Sequence, residues 1–146
     1  MGGSSLLHPV HPALAHFPVA FWLGSSASDL IALRSGHLVW WTVSHHALVA
    51  GVIMGAVTLL AGGLELVLRK LPPEAWRWAG LHAGLMSTAL LCYMVSLSWR
   101  TPTPPPLSAV WVSLLGSAIV LVGGFCGGTL VYGYGVGVSW RAQKRE

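Results

Sequence analysis

LVWWTVSHHALVAGVIMGAVTLLAGGLELVL, from Leu38 to Leu68, carries a single charged residue, Glu65, and no proline. Roughly 20 predominantly apolar residues suffice for a helix to cross a hydrocarbon core, so this stretch reads as a membrane span with residues to spare. At about 1.5 Å of rise per residue it is too long for the core alone. Its first turns, with Trp40, Trp41, His45 and His46, are expected in the interface. Working outward, three more apolar stretches are visible, at about 13–33, 76–99 and 107–131. The connections between them are short: Arg34 to His37, Arg69 to Glu74, and Arg100 to Pro106, the last holding the stiff run Thr-Pro-Thr-Pro-Pro-Pro. Short loops force antiparallel neighbours. The expected fold is all-α, a single transmembrane domain over 1–146 forming a four-helix up-down-up-down bundle.

Composition agrees. Of 146 residues 54% are hydrophobic and only 8% charged, against about 25% charged in a soluble domain, so the chain cannot cover its own surface with polar groups. The 18 glycines and nine prolines lie in or beside apolar runs, where both are commoner than in soluble helices. The basic residues gather at segment ends, which is a topology signal and excludes a nucleic-acid surface. Arg69, Lys70, Arg77, Arg141, Lys144 and Arg145 fall on the face holding both termini; Arg34 and Arg100 fall on the other. That bias predicts both termini in the cytoplasm. The first segment lacks the basic start of a signal peptide, and it is expected to be retained. Most of the eight tryptophans stand near segment ends, as an aromatic belt requires.

Cys92 and Cys126 differ by roughly 14 Å in expected depth, too far for a disulfide. Ala47, Gly51 and Gly55 repeat at four-residue spacing, and Gly123, Gly124, Gly127 and Gly128 form two overlapping small-residue pairs. Such stripes let helix backbones approach closely; the alternative is that they make room for a flat cofactor. Glu65 and Arg69 have the order of a favourable i,i+4 pair.

Histidines near the start of the first and third segments are the candidate chemistry. His16 and His82 lie at similar depth on helices that are diagonal partners in a four-helix bundle, with His11 as the fallback for His16. Opposed imidazoles are the ligand set of a bis-histidine haem b, which would make His16 and His82 its iron ligands. The competing reading is that these histidines tie loops to helix ends, and quinone or metal binding is also open. On the other side, Asp29 stands near His45 and His46, a possible proton or ion site because a buried carboxylate needs a partner. No serine-hydrolase elbow, phosphate loop, CxxC or HExxH appears, so no catalytic residue is assigned.

His11-Pro12 with His16-Phe17-Pro18 resembles the HPxxxHFP-type opening of a bacterial membrane family, domain of unknown function 2231. The run from Gly127 to Val138, GGTLVYGYGVGV, is similar to that family's closing GGxLVYxxGVGV. The resemblance implies a four-helix membrane protein with a layout like that of small b-type cytochromes. It also implies that the opening motif, His82 and the closing glycines meet at one face, with Tyr132 donating into a site there. The resemblance carries no activity over, and the residues themselves leave three functions open: a small membrane redox protein exchanging electrons with quinone; a non-catalytic subunit packing against other membrane subunits; and a metal or proton transporter. Lipid bilayer is the common partner of all three.

Overall fold

Each apolar stretch becomes one helix, because a chain in lipid must satisfy its backbone groups internally. The computed structural model describes residues 10–68, 71–101 and 103–137. Its helices are α1 (Val10–Ser35), α2 (Leu38–Leu68), α3 (Ala75–Ser98) and α4 (Leu107–Gly128), followed by a π-helical turn over Thr129–Gly133. α1 starts three residues before the expected Ala13 and runs through a buried Pro18. Gly36 ends it: its φ of 70° is left-handed backbone that favours glycine, and its N–H closes on Ala32 O at 2.9 Å.

α1 packs chiefly on α2 and α3 chiefly on α4, while α2 meets α3 and α4 meets α1 more lightly. The result is an up-down-up-down ring with α1 and α3 on one diagonal, running the same way. α2, α3 and the segment Leu107–Gly133 are long and apolar enough to cross a membrane. α1, expected as a fourth apolar span, is not among them. Its inner face is polar: Ser25, Ser26, Ser28 and Asp29 are all buried in the bundle, so the helix is sheltered by its neighbours and not by its own hydropathy.

The core is centred on Trp22, Leu48, Ala89, Leu90, Tyr93 and Val120. Trp22 thus departs from the belt pattern. Its indole stacks on the Tyr93 ring, with centroids 4.9 Å apart and planes inclined by 13°, and it lies against Gly51 and Gly55 of α2. The small residues of α2 are therefore the seat of an aromatic side chain from α1, a close approach that a Cβ at either position would block. At the end where α1 begins, the π-helical turn folds back, and Leu130, Tyr134 and Val136 pack with Ala75 and Ala79 at the start of α3.

A candidate site at each end of the bundle

At the end where α1 begins, two histidines face each other across the diagonal. They are His11 and His82, with ring centroids 6.1 Å apart and planes inclined by 80°. Each is fixed by a main-chain carbonyl of its hairpin partner. His11 Nδ1 donates to Thr58 O at 3.0 Å and His82 Nδ1 donates to Gly123 O at 2.8 Å. A carbonyl only accepts, so both rings carry a proton on Nδ1, and Nε2 is the nitrogen left to meet another group. Glycine makes the space. A Cβ on Gly62 would stand 2.7 Å from His11 Nδ1, and one on Gly127 would stand 2.9 Å from His82 Cε1. The His11 main-chain N–H is held by Glu65 Oε1 at 3.1 Å, and the Thr58 hydroxyl is buried without a hydrogen-bond partner.

His16, the expected partner of His82, is exposed on the outer side of α1. The expectation of a His16–His82 pair is therefore corrected to His11–His82; depth was matched, but helix face was not. Tyr132 is also misplaced by the expectation that it donates into the site: it is 90% exposed and points away from the bundle. The meeting of the opening motif, His82 and the closing glycines at one end is as the family pattern implies. Val138, the last residue of that pattern, lies outside the described residues.

The opposite end holds a buried ion pair that the sequence analysis missed. Arg100, just past the end of α3, makes a bidentate contact with Asp29 of α1: Nη1 donates to Oδ1 at 2.8 Å and Nη2 to Oδ2 at 2.5 Å. Serines from the other helices complete it. Ser44 of α2 donates to Asp29 Oδ1 at 2.5 Å and accepts from Arg100 Nη1 at 2.9 Å. Ser113 of α4 donates to Asp29 Oδ2 at 3.2 Å and accepts from Nη2 at 3.4 Å, while Nε of Arg100 reaches Ser96 Oγ at 3.2 Å. All five guanidinium N–H groups and both carboxylate oxygens are engaged. Further hydroxyls extend the network inward, from Ser26 through Ser117 to Tyr93 Oη.

The expected partners of Asp29, His45 and His46, do not reach it. His46 Nδ1 donates to Thr42 O of its own helix at 2.8 Å, and the two rings contact each other edge-on. Asp29 is saturated by Arg100 and two serines, so this geometry gives a proton or ion no free carboxylate oxygen and removes the ground for a transport site there. The signal in the sequence is the charge itself: a carboxylate in a span demands a cation, and Arg100, one of the two basic residues on that face, can supply it. Cys92 and Cys126 are both free. The partner expected for Glu65, Arg69, lies outside the described residues.

Four helices with a polar clamp at one end and paired imidazoles at the other define a helical-bundle membrane protein. It belongs to the family DUF2231, described as a predicted membrane protein, whose model matches residues 7–140. No curated protein and no solved structure matches the chain.

Proposed function

We propose that the protein is a small membrane redox carrier that holds haem b between His11 and His82. The observation that carries this reading is the pair of anchored imidazoles, each held at Nδ1 by a main-chain carbonyl and each with Nε2 outside those hydrogen bonds. The two rings stand with centroids 6.1 Å apart and planes inclined by 80°, so both would be at hand to hold a group between them. Among the described residues no group of three or more His, Cys, Asp or Glu could hold a metal ion. Two protein ligands suffice for a metal that brings its own equatorial donors, as the iron of haem does. The group would supply a one-electron centre. The protein's part is to hold both imidazole rings in place through Thr58 O and Gly123 O. Quinone is the partner that suits a one-electron centre near the membrane surface.

The test is an absorption spectrum of the purified protein, alone and after reconstitution with haem. A Soret band and a sharp reduced α-band are expected in the wild type and in His16→Ala. Both bands should be lost in His11→Ala and His82→Ala, with membrane insertion intact. A colourless wild type after reconstitution, or an unchanged low-spin spectrum in both variants, overturns the assignment.

One observation favours a second reading, a non-catalytic subunit of a larger membrane complex. Gly63, Gly80, Gly84 and Gly124 are exposed, and a Cβ on any of them would meet nothing within 4 Å. Small residues turned outward in a membrane are contact points for other helices. For either reading we place the protein in a bacterial inner membrane with both termini in the cytoplasm, on the side bearing six of the eight basic residues.

A further inference from the structure

Three contacts cross the diagonal from α1 to α3, and their residue numbers keep step. His11, Trp22 and Asp29 meet His82, Tyr93 and Arg100, and each residue of the second set stands 71 positions after its partner. The contacts inside each hairpin repeat as well. Ser25 Oγ donates to Ser44 O at 3.0 Å, and Ser96 Oγ donates to Ala109 O at 2.7 Å. The His11 Nδ1 bond to Thr58 O has its counterpart in the His82 Nδ1 bond to Gly123 O. Gly62 leaves room for the His11 ring as Gly127 does for His82, and Gly51 seats Trp22 as Gly116 seats Tyr93. On the α1–α3 side the offset is always 71; on the α2–α4 side it is always 65. A slip of one residue in any helix would turn its side chains by about 100° and break every match in which that helix takes part.

We propose that the chain is two copies of one helical-hairpin unit, α1–α2 and α3–α4, joined across a pseudo-two-fold axis along the bundle, with the three diagonal contacts as their interface. Parallel repeats about an axis along the membrane normal are an established way of building membrane bundles. The two ends of the interface differ in kind. His11 and His82 are the same residue, so any group on the axis there meets two equivalent imidazoles. Asp29 and Arg100 are opposite charges at equivalent positions. Two copies of the first unit would oppose Asp to Asp, and two copies of the second Arg to Arg, so this contact admits only unlike units. Asp29 and Arg100 are thus positioning residues: they fix the register of α1 against α3, and through it the separation of the histidines at the far end.

Equivalence makes a charge exchange tolerable. Ser25 stands four residues before position 29 as Ser96 stands four before position 100, and Ser44 and Ser113 already contact both charged groups. The experiment uses the full chain in detergent with nitroxide labels at Ala13→Cys and Gly84→Cys, two exposed positions 71 apart, in a background lacking Cys92 and Cys126. Asp29→Arg alone and Arg100→Asp alone should abolish the narrow wild-type label distance and lower the thermal midpoint, or fail to accumulate. The double variant Asp29→Arg/Arg100→Asp should restore the narrow distance and most of the midpoint. A double variant as disrupted as the singles overturns the equivalence of the units; singles with wild-type distance and midpoint overturn the lock. The distance is read without a cofactor, so a colourless protein whose double variant recovers would sink the haem assignment and leave this inference standing.

Discussion

A guanidinium with every N–H engaged is held as tightly as that group can be, and Arg100 is in that state while nearly all of its surface is covered. Removing one partner of a buried pair costs far more than the pair is worth, because an uncompensated charge remains; the loss is about 3–5 kcal/mol. Arg100→Met should therefore destabilise the bundle by that amount, while Arg100→Met with Asp29→Leu should recover much of it. Detergent unfolding of the two variants against wild type reads the difference, and equal losses would contradict the clamp. The pairing was hidden in the sequence because the partners are 71 residues apart and His45 and His46 look nearer to Asp29. Helix face, by contrast, was legible. At about 100° per residue, the eighteen residues from His11 to Asp29 make about five full turns, so both share a face; His16, thirteen residues away, falls about 140° off it. Once Asp29 is required to point inward, His11 is the inward histidine. Depth alone could not separate His11 from His16.

At the scale of the helix, small residues divide by what lies over them. The stripe Gly123, Gly124, Gly127 and Gly128 was legible as a close-approach signal, but the sequence could not say which glycines face a neighbour. Gly127 faces the His82 ring and Gly123 faces Met86 and Leu85, whereas Gly124 is open. A leucine at Gly127 must displace the imidazole from its place beside Gly123 O. Overpacking of this kind costs about 1–3 kcal/mol, so Gly127→Leu should weaken the fold to that extent and disturb any spectrum that depends on His82. Gly124→Leu should leave both unchanged. If the protein is a subunit, Gly124→Leu should instead reduce its recovery with other membrane components. A spectrum and melting curve for each variant, with co-purification for Gly124→Leu, separates the cases, and a Gly127→Leu protein identical to wild type would count against the site geometry. Helix existence and type were readable throughout: α2 has the expected bounds, and the others differ by a few residues. The exception in kind is α1, whose polar inner face lowers its hydropathy for the same reason that it carries the buried Asp29.

For the whole molecule, the repeat was not legible because the shared residue types are few and scattered: His11 and His82, Ser25 and Ser96, Gly51 and Gly116, and Gly62 and Gly127 match in type, but the residues between them mostly do not. Trp22 corresponds to Tyr93, Thr58 to Gly123, and Asp29 to Arg100; only contacts reveal the correspondence. The same buried pair also bears on orientation. The positive-inside bias counts basic residues that stay at the membrane surface. Arg100 is neutralised inside the bundle, which leaves Arg34 as the one arginine on its face against six basic residues on the other. The bias is therefore steeper than a plain count suggests, and the proposed orientation has Ser35 outside the cytoplasm and Glu74 inside. With Cys92 and Cys126 replaced, a membrane-impermeant maleimide should label Ser35→Cys in intact cells and Glu74→Cys only after permeabilisation. Ser35 closes α1 just before α2 and Glu74 lies in the connection after it, so the two flank α2 at opposite ends and must give opposite answers if the helix spans. Labelling of Glu74→Cys alone in intact cells would invert the topology, and labelling of both would mean that α2 does not cross.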